Sequence, residues 1–151
     1  MEGILCNVSV NSELKQGDQK EIIEALSDGF FRKRNDGAEI FYKENQPDAE
    51  GEIKVHVTFS INETTDLYEC RIVKEGALKS EMLFIRDFET PCAYMTPFGE
   101  LSFDIYTTEI SVEEREDGLN AELAYALLDR GEVITEAVVS INVKRKTCPD
   151  T

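Results

Sequence analysis

Two residues of the chain could form a nucleophile and its base, which is the minimum that covalent catalysis by a side chain needs. Cys92 is the one suggestive nucleophile, and His56 is the single histidine of the sequence. The alternation around His56 places it on the polar face of its segment, and no triad spacing connects it to Cys92. A surface imidazole and an incidental thiol explain both residues more simply. We therefore predict no catalytic residue and no enzymatic activity.

The densest group of carboxylates could bind a hard cation such as calcium through its oxygen atoms. It consists of Glu113, Glu114, Glu116 and Asp117. The run lacks the Asp-x-Asp-x-Asp-Gly spacing that wraps ligands around one ion. A solvated acidic turn is the simpler explanation, so we predict no metal site. The sequence also gives no reason to expect a cofactor.

The cysteines are scattered along the chain at Cys6, Cys70, Cys92 and Cys148, with no Cys-x-x-Cys pair. This pattern is poor for zinc and outlines no disulfide framework. The first residues lack the basic and long apolar regions of a secretory signal, and no apolar run approaches membrane-spanning length. We therefore expect reduced thiols in a cytoplasmic protein.

Length and charge limit the domain count and the classes of partner. The 151 residues, 41% of them hydrophobic, suit one compact domain spanning residues 1–151. With 31 acidic against 16 basic residues, the formal net charge is -15. A field of this sign repels phosphate backbones and anionic lipid surfaces. We therefore expect neither nucleic acid nor a membrane as a partner.

The elements that must position these side chains are short segments in which apolar and polar residues alternate. The clearest case is Ile53 to Ile61, where every second residue is apolar and the intervening residues are polar. Such alternation is typical of a strand with one buried face. Similar alternation occurs in residues 4–10, 68–72, 101–107 and 132–144.

Turn-forming residues separate these segments in the manner of hairpins. Asp36-Gly37 tolerates the positive φ angles of a tight turn, and Glu75-Gly76 and Arg130-Gly131 separate later segments. The sequence therefore predicts an all-β fold, a single antiparallel up-and-down barrel of about eight to ten strands.

Two segments follow the alternation less cleanly. Ala121 to Leu128 is rich in strong helix formers with leucines at helical spacing, but it also alternates and lies between two turns. We predict a strand there and keep a helix as the alternative. Arg86 to Gly99 is predicted to be a long irregular connection, and its aromatic residues suggest that it packs over the mouth of the barrel.

Four short motifs carry a resemblance to a known family. They are Lys74-Glu75-Gly76, Met82-Leu83-Phe84, the stretch from Tyr94 to Gly99, and Thr107-Thr108. In these motifs the chain resembles the YwiB-like family, small bacterial proteins with a calycin-like (lipocalin-like) barrel and no assigned function. The resemblance covers nearly the whole chain. It implies a barrel whose interior is either packed or holds a small ligand, and it implies no known substrate.

Aromatic, methionine and hydroxyl side chains in and near these motifs would suit a ligand pocket, because such pockets are mostly apolar with a few polar groups. Plain core packing needs the same residues. Arg71 and Lys74 could add a contact for an anion, although charges on strands are more often exposed. The candidate ligand-binding residues are Met82, Phe84, Tyr94, Thr96, Phe98, Phe103 and Tyr125.

Two functions remain open on this basis. In the first, a non-enzymatic barrel binds a small apolar or amphipathic molecule at its mouth, with residues 94–99 as rim or lid. In the second, the interior is packed and ligand-free, and an exposed face or edge strand serves protein interaction or self-association, with a homodimer as the expected assembly. A third, enzymatic function would require Cys92, His56 or a carboxylate pair to converge in one pocket.

Overall fold

The computed structural model describes residues 3–45, 52–76, 79–96 and 98–146, and the regular elements there are all β-strands. Ten strands form one closed barrel in the order β1-β10-β9-β8-β7-β6-β5-β4-β3-β2. No helix in this part of the chain is long and apolar enough to cross a membrane. The strands are β1 (Ile4–Gln16), β2 (Gln19–Arg34), β3 (Gly37–Asn45), β4 (Glu52–Ile61), β5 (Tyr68–Glu75), β6 (Lys79–Phe84), β7 (Glu89–Thr96), β8 (Gly99–Arg115), β9 (Gly118–Asp129) and β10 (Glu132–Arg145).

The ten described strands are connected as a meander. Each strand pairs antiparallel with the strand that follows it in the chain, and a further ladder joins β1 to β10 and closes the barrel. Asp36-Gly37 lies where β2 meets β3, and Arg130-Gly131 lies between β9 and β10. The predicted all-β, antiparallel up-and-down barrel is therefore confirmed.

The segment from Ala121 to Leu128 lies within β9, which confirms the predicted strand and excludes the helix. β9 pairs with β8 on one side and with β10 on the other. Its alternate residues Leu119, Ala121 and Leu123 are buried in the core. Two long ladders and a buried face outweigh the helix propensity that this sequence has in isolation.

The prediction that Arg86 to Gly99 is irregular was wrong for its central part, which forms β7. This strand pairs with β8 over its whole length and buries Thr90 and Cys92. Pro91 argued against a strand in the sequence, because proline cannot donate a ladder hydrogen bond. The structure accommodates it because the β6–β7 ladder ends at the pair of Glu81 with Ala93, before Pro91 is reached.

The ladders assign each side chain to the interior or to the outer wall, because directly paired residues in a sheet point to the same face. We call the end with the β8–β9 turn the upper end and the end with the β1–β2 turn the lower end. Toward the upper end the interior is a continuous apolar core. Its largest fully buried side chains include Val8, Phe31, Ile40, Phe59, Phe84, Ile105, Leu119 and Val143.

A close approach between two strands requires glycine at position 37. Gly37 begins β3 and pairs with Ser60 of β4. A Cβ atom on Gly37 would lie 1.9 Å from the carbonyl oxygen of Phe59 and 2.7 Å from its carbonyl carbon. Both are backbone atoms, which cannot rotate away as a flexible side chain could. The absence of a side chain at this position therefore allows β3 to lie against β4.

Strand β2 is longer than the ladder on one of its sides. It pairs with β1 from Gln19 to Phe31, but its ladder with β3 begins only at Gly29. Just below that point the Ser27 hydroxyl donates to the carbonyl oxygen of Lys43 at 3.2 Å. In the described part of the chain, residues 19–28 therefore have no ladder partner on the side that faces β3.

Candidate ligand-binding site

Solvent reaches the inner face of the barrel at its lower end. Inward-facing residues on the lower parts of β1, β2 and β9 are incompletely buried, and Ile23 is 44% exposed although its register points it inward. We call this concavity the cup. The cup is lined by Val10, Ser12, Leu14, Ile23, Ala25, Ser27, Tyr125 and Leu127.

A charged pair lies on the inner wall toward the lower end. Lys74 Nζ is 3.3 and 3.2 Å from the two carboxylate oxygens of Glu44, and the Tyr42 hydroxyl donates to Glu44 Oε1 at 3.3 Å. The two charged residues face inward because they pair with Val55 and Ile53 of β4, which are core residues. Desolvation offsets much of the attraction in such a partly buried pair. Its position therefore suits a ligand contact better than a contribution to stability.

Two hydroxyl groups lie beside this pair with unused hydrogen-bonding capacity. Ser80 of β6 pairs with Lys74 on one side and with Tyr94 on the other, so the three share the inner face. Ser80 Oγ is buried and has no hydrogen-bond partner among the described residues. Among the described residues, the Tyr94 hydroxyl donates only to a weak acceptor, the sulfur of Met82, at 3.3 Å.

The Tyr94 hydroxyl keeps its proton, and so remains a hydrogen-bond donor, throughout the physiological pH range. Burial, followed by the neighbouring Cys92 and Glu44, raises the pKa of Tyr94 to about 12. The phenol therefore stays neutral and can donate a hydrogen bond to a ligand oxygen. Together, Lys74, Ser80 and Tyr94 form a row of donors on adjacent strands.

Replacing Ser80 by alanine is expected to raise the free energy of unfolding by about 1 kcal/mol. In the part of the chain that the structure describes, the serine hydroxyl is buried without a hydrogen-bond partner, and removing such a group relieves its desolvation cost. Urea denaturation of the wild-type and S80A proteins measures the change. Ser102→Ala, at an exposed position of β8, is the matched control and should shift stability by less than about 0.5 kcal/mol. A clear loss of stability in S80A would show that the hydroxyl has a stabilising partner.

The structure brings five of the candidate ligand-binding residues together on the inner face. Met82 and Phe84 are buried in the core, and the Phe84 and Tyr125 rings lie 4.8 Å apart. Tyr94 and Phe103 make an edge-on contact with centroids 6.1 Å apart. Packing and any ligand contact therefore compete for the same side chains.

The other two candidates come from the end of β7 and the segment after it. Phe98 is fully exposed, so its side chain lies outside the core. Thr96 ends β7 and pairs with Gly99, while its side chain and Pro97 lie outside the described residues. The described part of this motif thus forms the end of a β7–β8 hairpin.

Sequence reasoning missed Glu44, Ser80 and Tyr42 and regarded Lys74 chiefly as an exposed strand charge. A signal for Lys74 was present, because the alternation through Cys70 and Ile72 extends to position 74. Glu44 and Ser80 carried no such signal. Glu44 is placed by its ladder with β4, and Ser80 is placed by its ladder with β5. These ladders belong to separate hairpins, so local sequence does not show that the two residues share a wall.

A largely apolar row of exposed and half-buried side chains crosses the outer wall over five strands. The row follows direct cross-strand pairs from β1 to β5 and borders a groove of about 580 Å³. Within it the rings of Phe41 and His56 are stacked, with centroids 4.3 Å apart and planes 10° apart. We call it the outer row; its members are Leu5, Phe30, Phe41, His56 and Val73.

His56 also borders an ion cluster on the outer wall, in which the carboxylate of Glu39 is buried and two arginines are partly exposed. Arg32 donates to Glu39 through Nε at 2.9 Å, and Arg34 donates through Nη1 at 2.8 Å. Burial would raise the pKa of Glu39, but the hydrogen bonds and charges of the two arginines outweigh it and lower the pKa. His56 Nε2 lies 3.7 Å from Glu39 and 3.2 Å from Thr58 Oγ1. These contacts give His56 a structural role.

Cys92 and His56 lie on opposite faces of the barrel wall. Cys92 points inward, and burial raises the pKa of its thiol to about 11, so the thiol is protonated at neutral pH. Cys6, Cys70 and Cys92 are free thiols, while Cys148 lies outside the described residues. In the part of the chain that the structure describes, no group of three or more His, Cys, Asp or Glu side chains could hold a metal ion.

The closed meander with a core at one end and a cup at the other defines a small, calycin-like antiparallel barrel. Within that class, the chain belongs to the family described as "Domain of unknown function (DUF1934)", which matches residues 8–141. It is also similar to the crystal structure of the ywiB protein from Bacillus subtilis, with 23% sequence identity and a TM-score of 0.79. The similarity covers 96% of this chain and 94% of that one. The resemblance to the YwiB-like family is therefore confirmed. No curated protein matches the chain.

Proposed function

We propose that this protein is a non-enzymatic binding protein that takes a small amphipathic molecule into the cup. The observation that carries the proposal is the Ser80 hydroxyl, which is buried on the inner wall without a hydrogen-bond partner among the described residues. Buried polar groups are normally hydrogen-bonded, and an exception beside other donors is a feature of binding sites. Its neighbours in the ladders, Lys74 and Tyr94, are also donors.

The two halves of the site suit the two halves of an amphipathic ligand. Lys74, Ser80 and Tyr94 offer donors to a polar head group that accepts hydrogen bonds. The apolar part of the ligand would contact Leu14 and Leu127, which face inward and are partly exposed. Burying apolar surface there would supply most of the binding free energy, and the polar groups would orient the head.

The overall charge supports this class of partner. A formal net charge of -15 opposes association with phosphate backbones and anionic lipid surfaces. We therefore include neither nucleic acid nor a membrane surface in the proposal.

Leu14→Trp is expected to weaken binding of the fluorescent probe N-phenyl-1-naphthylamine by at least about tenfold. The indole would fill the cup, because position 14 faces inward on β1. Fluorescence titration of wild-type and variant protein measures the dissociation constants. Native mass spectrometry of protein purified gently from its own host then shows whether a small molecule is retained and gives its mass.

Two control variants show whether the probe binds in the cup or at the outer groove. Lys15→Trp adds the same indole at the next residue of β1, which faces outward, and should leave probe affinity unchanged. Phe30→Ser removes an aromatic ring of the outer row and should also have no effect. If L14W bound the probe normally while F30S lost it, the outer groove would be the binding site and the cup proposal would be wrong.

A protein-interaction module is the second candidate function. The specific observation in its favour is the outer row, which exposes apolar side chains where the outer wall of a barrel is usually polar. Charged residues flank it, including Asp28, Lys43, Lys54 and Glu75 of the same groove. An apolar centre with a charged rim is the common composition of a protein interface.

A further inference from the structure

The two opposite charges on the inner wall toward the lower end compensate each other. Lys74 Nζ lies 3.2 Å from Glu44 Oε2, and the Tyr42 hydroxyl donates to the other carboxylate oxygen of Glu44. The Lys74 and Glu44 side chains are 26% and 20% exposed, so solvent reaches them but does not surround them. In such a place a charge without a counterion is costly, because little water is left to solvate it. A ligand that brings its own charge would leave one of the three charges in that state.

The charges around this pair give no compensation to an anionic head group. Glu21 pairs with Leu14 in the β1–β2 ladder and therefore faces inward near the mouth of the cup. The formal net charge of the whole chain is also negative, at -15. A carboxylate or phosphate head would therefore reach Lys74 only in competition with Glu44 and against a repulsive field. A cationic head would have the opposite difficulty, because the Glu44 carboxylate already binds Lys74 and Tyr42.

The hydrogen-bonding groups next to the pair suit an uncharged head group. A hydroxyl can donate one hydrogen bond and accept two, and in the described part of the chain the buried Ser80 hydroxyl uses neither capacity. The Tyr94 hydroxyl, on the neighbouring strand, has only the Met82 sulfur as an acceptor among the described residues. A ligand group that both donates and accepts can satisfy both residues without adding an uncompensated charge. A hydroxyl or a carboxamide has this capacity, whereas an ester or an ether can only accept.

We propose that the cup selects amphipathic molecules whose head group is uncharged and both donates and accepts hydrogen bonds, as in a long-chain alcohol or amide. This inference rests on the proposed function and adds to it the chemical class of the ligand. The Lys74–Glu44 pair determines the specificity, because it disfavours a head group of either charge. Ser80 and Tyr94 provide the contacts that an uncharged head group retains.

Competition between three compounds of equal chain length tests the class of head group. Decan-1-ol, decanoate and decylammonium share one apolar chain and differ in the charge of the head. Each is titrated against N-phenyl-1-naphthylamine bound to the wild-type protein at neutral pH, and the loss of probe fluorescence gives its inhibition constant. Decan-1-ol is expected to bind at least about tenfold more tightly than either charged compound.

Removing one charge at a time is expected to change the preference in opposite directions. Glu44→Gln leaves Lys74 without its counterion, so decanoate should gain about tenfold or more relative to decan-1-ol. Lys74→Met leaves the Glu44 carboxylate without its counterion, so decylammonium should gain by a similar factor. Opposite shifts measured with the same three compounds cannot come from differences in their solubility.

An exposed ion pair at the adjacent position provides the matched control. Lys43 of β3 precedes Glu44 in the chain, faces outward, and lies 3.2 Å from Glu52 of β4, with side chains 60% and 57% exposed. Glu52→Gln and Lys43→Met make the same chemical changes there and should leave the order of the three compounds as in the wild type. Thermal melting followed by circular dichroism shows whether each variant is folded. The order measured with the wild-type protein tests the inference even if a variant does not fold.

Failure of the inference and failure of the proposed function give different results. If a charged compound binds the wild type as tightly as decan-1-ol, or if folded E44Q and K74M keep the wild-type order, the class of head group is wrong and the cup remains the binding site. If none of the three compounds displaces the probe, or if Leu14→Trp does not weaken probe binding, the proposed function is wrong and the inference fails with it.

Discussion

Phe84→Ala is expected to lower the free energy of unfolding by about 3–5 kcal/mol, the largest effect of any substitution considered for this barrel. The Phe84 side chain is fully buried and its ring packs 4.8 Å from that of Tyr125. It lies in the apolar core that joins strands from both sides of the barrel. Truncation would remove the buried surface and leave a cavity that the closed wall cannot collapse to fill.

Guanidinium denaturation of wild-type and F84A proteins measures this loss. Phe88→Ala makes the same chemical change at a largely exposed ring and should shift stability by less than about 0.5 kcal/mol. Similar small losses in the two variants would mean that the interior near Phe84 is not tightly packed. That result would also enlarge the space available to a ligand.

Gly37→Ala is expected to cost about 1–3 kcal/mol, although it adds only one methyl group. The new Cβ would lie 1.9 Å from the carbonyl oxygen of Phe59, so β3 and β4 would have to separate at the upper end of the barrel. The separation would disturb the Gly37–Ser60 pair and the ladder next to it. Thermal denaturation followed by far-ultraviolet circular dichroism measures the change.

Gly3→Ala is the matched control for this substitution. A Cβ on Gly3 would make only ordinary van der Waals contacts, at 3.5 Å from Phe30 and 3.6 Å from Phe31. We expect its melting temperature to be close to that of the wild type. If G37A melted at the same temperature as G3A, the strands at this hairpin would be further apart than the structure places them.

Much of the fold was predictable because the barrel is built from local pairs. The alternation of Ile53 to Ile61 and the turn at Asp36-Gly37 are local patterns that predict a strand and a hairpin turn. In a meander these local elements determine most of the topology, because strands that follow each other in the chain also pair in the barrel. The stretch Gln19 to Ser27 was not predicted as a strand. Its adjacent isoleucines and its glutamate, alanine and leucine residues do not alternate, and the long ladder with β1 determines its structure.

The candidate site was only partly predictable, for a related reason. Aromatic residues such as Phe84 and Tyr125 are expected inside any barrel. Their residue type therefore predicts burial, but it does not distinguish a role in core packing from a role in ligand binding. The polar groups that make the lower end distinctive are Glu44, Lys74 and Ser80. They come from three strands, and only the registers that join β3 to β6 bring them to one wall.

The order of the strands also has a consequence for how the chain acquires its structure during synthesis. Among the described strands, nine ladders join neighbours in the chain, so each hairpin can form soon after its second strand leaves the ribosome. The tenth ladder joins β1 to β10 and must wait until the last strand is made. Until then the nascent sheet has open edges on β1 and β9, which can pair with other chains. The pairing of β10 with both strands closes these edges.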